Sequence, residues 1–203
     1  MKKDYIEIDR DSLEFLYAVY FGSYEDELQA AENRAYRDMN RTLRFHGLQQ
    51  EKRDALRKQA MSIIQSQIGD LWQEKVADQK TYDLWHENLS QGIIALYEDS
   101  NVKFTVGQAQ KWINMTMKYL YVFGKPEMKD LSRVCHVPLD NYIFEIASTS
   151  LNIDKPKIPW SRWDDYSNQY MQYQYFLREK LVDDIPFKWE FRAWLYTARR
   201  SSR

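Results

Sequence analysis

"TVGQAQKWINMTMKYLYVFG", residues 105–124, is the stretch on which the fold reading turns. Ala109, Trp112, Ile113, Leu120 and Phe123 recur at helical spacing, which predicts an amphipathic helix over 108–123. Thr105 followed by Gln108 fits a capping box at its start, and Gly124 ends it. Lys111 and Lys118 share the side opposite the apolar stripe, with Lys111 roughly 160° round the helix from Ala109. The helix therefore has one face for a core and one for solvent or a ligand.

Outward from this stretch the chain reads as helix after helix. Residues 12–22 read as a short buried helix, with Ser12 as cap and Gly22 as stop. Residues 24–46 read as one long amphipathic helix, acidic at its start, basic at its end and closed by Gly47. Further helices are predicted from 50 to at least 67, over 81–100, over 141–149, from 161 to about 182 and over 186–200. Leu84, Trp85, Leu89, Ile93 and Leu96 mark the apolar side of the 81–100 helix. Residues 3–8 alternate like a strand, but one strand has no partner. The expectation is an all-α fold of eight or nine helices around one core. It forms a single domain over 1–203, with 1–100 and 101–203 as the halves of any two-lobed arrangement about a cleft.

Composition agrees. Of 203 residues, 44% are hydrophobic and 29% charged, enough for a core under a polar surface. Six Gly and five Pro are few for a turn-rich β fold. A net charge of −1 excludes a strongly cationic surface overall, not a local basic patch. One cysteine, Cys135, excludes an internal disulfide and any Cys-ligated zinc or iron–sulfur site. No metal and no cofactor is expected. The N-terminus has no apolar core of a signal peptide and no stretch suits a membrane span, so no membrane partner and a cytoplasmic location are expected. Nucleotide-binding, serine-hydrolase and zinc-protease motifs do not occur.

Chemistry concentrates at "CHVPLDNYIFEIA", residues 135–147. Asp140 follows an extended Val137-Pro138 approach and opens a helix. It is a favoured N-cap, and a carboxylate there can also stabilise a developing cation or position a water. Arg34, Arg37, Arg41 and Arg44 fall within about 80° on the predicted 24–46 helix, a ridge able to follow phosphates or a solvated face paired with Glu32 and Asp38. Lys103, Lys111, Lys118, Lys125, Lys129 and Arg133 make the middle of the chain locally positive. Aromatics from Trp160 to Tyr175, then Trp189, Phe191, Trp194 and Tyr196, suit base stacking, a protein interface or a core. His46, His86 and His136 are scattered, and Cys135 beside His136 suggests a thiol dyad that adjacent side chains seldom form.

Val106-Gly107 before an amphipathic helix, then Pro138–Ile143 ("PLDNYI"), resembles the core of the helix-hairpin-helix DNA glycosylases over residues 100–150. In that family a glycine hairpin holds a DNA phosphate through backbone amides, and a Pro-x-Asp segment supplies the catalytic aspartate. The resemblance implies Asp140 as the catalytic carboxylate. It also implies phosphate contacts around Thr105, Gly107 and Gln108, with DNA as partner; Lys111, Arg34, Arg37 and Arg41 are the basic residues that would join them. Thr105 replaces the first hairpin glycine and Phe104 the usual proline. Ala109 stands where bifunctional members carry their lysine nucleophile, so a monofunctional hydrolysis of the N-glycosidic bond is implied. The other expectation is a non-enzymatic helical protein, an adaptor or a phage or mobile-element factor, binding a protein partner or a second copy through the aromatics from Trp160 to Tyr175.

Overall fold

A computed structural model describes residues 8–182 and 184–201, without the side chains of 197–201. Its centre is helix α5, Val106–Val122. Thr105 caps it with the expected box: the Thr105 hydroxyl accepts from the Gln108 amide, and the Gln108 side chain accepts from the Thr105 amide. Every residue from Val106 to Met117 is buried, including Gln108, Gln110, Lys111, Asn114 and Thr116. The polar face expected to meet solvent is covered, which corrects the amphipathic reading.

Around α5 stand α1 (Arg10–Phe21), α2 (Glu27–Met39), α3 (Gln50–Gln73), α4 (Gln79–Glu98), the one-turn α6 (Met128–Leu131), α7 (Asn141–Leu151), α8 (Gln172–Lys180) and α9 (Pro186–Ser201). The fold is all-α, and no strand occurs among the described residues. The alternating stretch 3–8 lies outside those residues apart from Ile8. One hydrophobic cluster runs from Phe21 to Trp189 and includes residues from both halves of the chain.

The closest neighbour of α5 is α2. Ala30, Ala31 and Ala35 let the backbones approach, Tyr36 packs on Trp112 with ring centres 4.9 Å apart, and the Trp112 indole N–H donates to the Glu32 carbonyl at 3.2 Å. The predicted 24–46 helix is shorter than expected. Asp26 caps it, α2 stops at Met39, and a 3₁₀ turn (Asn40–Thr42) follows. Asp9, not Ser12, caps α1. Of α1, predicted to be buried, only Phe21 is buried. Leu84, predicted on the apolar side of α4, is exposed. The predicted 161–182 helix is instead a 3₁₀ turn (Trp160–Arg162), a π-helical turn (Tyr166–Met171) capped by Asp165, and α8. No helix among the described residues is long and apolar enough to cross a membrane.

Glu32 was expected to face the arginines of its own helix, but it is fully buried against α3. Gln65 donates to its Oε2 at 2.6 Å, while Oε1 has no hydrogen-bond partner. Burial pushes its pKa from the ordinary 4.5 up to about 8, against the pull of the Gln65 hydrogen bond. A raised carboxyl stabilises the fold fully below 4.5, and that contribution is lost as pH rises through about 8. The urea midpoint of Glu32→Gln, taken relative to the wild type at the same pH, is therefore expected to rise progressively between those pH values. The variant should be the more stable protein at pH 8.5 and have no advantage at pH 4.5.

Candidate functional site

The segment from Cys135 to Asp140 has no regular secondary structure and ends in the extended backbone of Asp140, and no strand pairs with it among the described residues. Two glutamine side chains serve instead. Gln174 of α8 accepts from the Val137 N–H at 3.2 Å and donates to its carbonyl at 2.8 Å. Gln110 of α5 accepts from the Leu139 N–H at 3.1 Å and donates to its carbonyl at 2.9 Å. Pro138 lies between, where no N–H is required. A primary amide matches a backbone donor–acceptor pair, so each glutamine acts as a short piece of sheet edge.

This clamp delivers Asp140. Its backbone is extended, and its Oδ1 accepts the Ile143 N–H at 2.9 Å as the cap of α7. Its Oδ2 accepts from the Lys111 ammonium at 2.7 Å. Lys111 is buried, whereas the Asp140 side chain keeps 30% of its surface open. Burial opposes ionisation of Asp140. The charge and hydrogen bond of Lys111, the Ile143 amide and the more distant Lys118 outweigh it and hold the carboxyl below its usual range. Lys118 donates to Glu190 of α9 at 2.7 Å and lies 5.4 Å from the centre of the Phe191 ring. Tyr142 and half-exposed Trp194 complete the surroundings, with ring centres 6.3 Å apart. Lysines thus alternate with carboxylates between α5, α7 and α9. Glu190 and Tyr142 were not singled out from the sequence. A glutamate inside an aromatic helix, "FKWEFRAW", was the available signal.

The other predicted site residues do not join Asp140. Residues 160–163 close over the start of α5. The Thr105 hydroxyl donates to the Ser161 carbonyl at 3.1 Å, and the Gly107 N–H donates to the Trp163 carbonyl at 3.1 Å. The Gln108 side chain donates to the carbonyl and hydroxyl of Thr42 at 3.0 and 3.1 Å. The Gly107 amide expected to hold a phosphate is therefore used within the chain. Lys111 is bound to Asp140 rather than directed to solvent. The arginine ridge is broken because α2 ends at Met39. Arg34 lies over the Tyr20 ring at 4.1 Å and pairs with Asp38 at 3.5 Å, while Arg37 and Arg41 are exposed. Lys103, Lys111, Lys118 and Lys125 each pair with a carboxylate, so the basic stretch is largely neutralised. Trp160, Trp163, Tyr166, Tyr170 and Tyr173 are core, which corrects the aromatic interface expected there.

A second polar assembly lies behind this segment. The Leu139 N–H fixes Gln110 with its oxygen inward, so Asn114 must turn its amide nitrogen toward that oxygen, 3.0 Å away. The same nitrogen donates to the Tyr170 oxygen at 2.8 Å. The Tyr170 O–H then donates to His136 Nδ1 at 2.6 Å, and His136 Nε2–H to Asp83 at 2.7 Å. On the other side Asn114 Oδ1 accepts His86 Nε2–H at 3.0 Å, and His86 Nδ1 accepts the Tyr166 O–H at 2.8 Å. Every link runs toward Asp83, whose carboxylate receives Arg178 through both oxygens at 2.8 and 2.6 Å. Burial lowers His136 to about 4 and also lowers His86 well below its ordinary range, so both rings are neutral, as this order requires. Burial pushes the Cys135 thiol up to about 12, which removes it as a nucleophile. The order of donors resembles a catalytic triad, but Tyr170 is fully buried; the hydrogen-bond chain holds the segment 135–140 in place.

Comparison with protein-family models, curated proteins and solved structures finds no match to this chain. The site stands on its geometry alone.

Two outcomes follow from this packing. A Cβ at Gly107 would lie 1.6 Å from the Trp160 carbonyl oxygen, so Gly107→Ala is expected to cost at least about 2 kcal/mol in urea unfolding. The lowered histidines stabilise the fold fully above their ordinary 6.5, and the His136 share is lost as pH falls through about 4. The urea midpoint should therefore drop between pH 7 and pH 4.5. His136→Gln keeps a donor for Asp83 and should reduce that slope.

Proposed function

We propose that this chain is a DNA-binding protein of helix-hairpin-helix glycosylase type that hydrolyses the N-glycosidic bond of a flipped base. One observation carries the reading: Asp140 is a carboxylate held ionised at the N-terminus of α7 and partly open to solvent, two residues before Tyr142, whose ring lies against half-exposed Trp194. Departure of a base leaves positive charge on the sugar, and a fixed carboxylate stabilises that charge and orients the attacking water. Water then bonds to the sugar carbon as the bond to the base breaks, and the base leaves with a proton. Tyr142 and Trp194 offer ring surfaces for an extruded base. Lys111 is committed to Asp140, which favours the monofunctional form without a covalent lysine intermediate.

The backbone contact differs from that of the family pattern. Gly107 is closed over by residues 160–163, so phosphate contacts fall to exposed side chains such as Arg37 and Arg41. A second reading, a helical interaction protein without chemistry, is favoured by the uncovered apolar side of α1.

The deciding measurement is binding to a short duplex carrying an abasic-site analogue, against the undamaged duplex, at about 50 and 200 mM salt. The glycosylase reading expects salt-dependent binding with a clear preference for the abasic duplex. A panel of damaged bases then identifies the substrate. Asparagine keeps the cap but leaves buried Lys111 without its carboxylate, so Asp140→Asn is assayed at a temperature where its own melt shows it folded; there it should bind while base release falls by at least about 100-fold. Undiminished base release by Asp140→Asn would remove the mechanism. Absence of binding at low salt would leave the interaction reading.

A further inference from the structure

Helix α1 has the composition of a buried helix but is covered on one side only. Phe21 packs against Tyr119 and Phe123 of the α5 end, and the Tyr17 hydroxyl donates to the Val122 carbonyl at 2.7 Å. The remainder of the helix is open: Phe15 is 66%, Leu16 50% and Val19 68% exposed, with Leu13 and the free part of Tyr20 at the edge of this face and Ile8 exposed just before the cap Asp9. A helix that is apolar on all sides is a helix with neighbours on all sides. These side chains leave roughly 600 Å² of apolar surface open, the upper end of what monomers show.

We infer that this face is a homodimer interface, occupied by α1 of a second copy of the chain. Area argues for it. A two-fold pairing would cover at most about twice the open surface of one copy, the lower end of the range of about 1,200–2,000 Å² that stable interfaces bury. Charge also argues for it. At roughly 100° per residue Arg10, Asp11 and Glu14 fall outside the open apolar arc, and Arg10 pairs with Glu14 on the same helix. Self-pairing thus brings no like charges together. An antiparallel arrangement with its axis between Phe15 and Leu16 sets the two Phe15 side chains against each other at the axis and Ser12 of one copy against Val19 of the other. A lipid surface is disfavoured, because Asp9, Asp11, Glu14, Glu25, Asp26 and Glu27 surround the helix with negative charge.

The test is sedimentation equilibrium of the full chain up to about 100 µM, with thermal melts as a check on folding. The wild type is expected to be a dimer. Phe15→Glu and the milder Val19→Ser should still melt cooperatively, at the temperature the wild type shows once diluted to monomer, since both side chains are largely exposed within one copy. The dissociation constant should rise by at least about 100-fold for the first and about tenfold for the second. An equimolar mixture of Phe15→Glu and Phe15→Lys should restore the dimer, because the two side chains meet near the axis. A wild type that stays monomeric at about 100 µM overturns the inference, whether or not it floats with phosphatidylcholine vesicles; flotation would assign the face to lipid. A dimer whose dissociation constant is unchanged in both variants overturns it equally.

Discussion

Helix α5 is buried on every side although five of its buried positions carry polar side chains, and that constraint organises the molecule. A buried amide, hydroxyl or ammonium without a partner costs about 1–3 kcal/mol or more. Each of these residues therefore dictates what must lie beside it. Gln108 requires Thr42, Gln110 requires the backbone of Leu139, Lys111 requires Asp140, Asn114 requires Tyr170 and His86, and Thr116 returns to the Trp112 carbonyl. Apolar packing alone would let the surrounding helices slide, whereas these bonds set their register.

The Asp140 site follows from the same constraint. Gln110 and Gln174 hold two alternate residues of the segment 135–140, and Lys111 meets the carboxylate at its end. Behind it the Asn114–Tyr170–His136–Asp83 chain has one order of donors, dictated by the Leu139 N–H and closed by Arg178. The carboxylate is consequently rigid, ionised and open on one side. These are the properties that electrostatic stabilisation of a cation needs, because a charge already fixed in place is not reorganised during reaction.

Gly107 and α1 show the two opposite ways in which a helix surface can be finished. At Gly107 the chain covers itself so closely that a single added carbon would strike the Trp160 carbonyl. At α1 the chain stops short, and Phe15, Leu16 and Val19 remain in water. The first closes off a surface that the hairpin resemblance pointed to as a ligand contact. The second opens one that composition assigned to the core.

Local rules were legible in the residues themselves. The all-α class, the capping box at Thr105 and Gln108, the cap at Asp140, and the glycine at the end of α1 all depend on neighbours within about four positions, which a sequence displays directly. What escaped the sequence was long-range. Periodicity shows that Lys111 and Lys118 share a side of α5, but not that α7 and α9 cover that side with Asp140 and Glu190. It shows aromatics from Trp160 to Tyr175 but not which way they face. His86 and His136 are fifty positions apart in the chain, yet they share one hydrogen-bond path. Whether a polar residue meets water or a partner depends on which distant segment folds over it, and tertiary packing alone decided that.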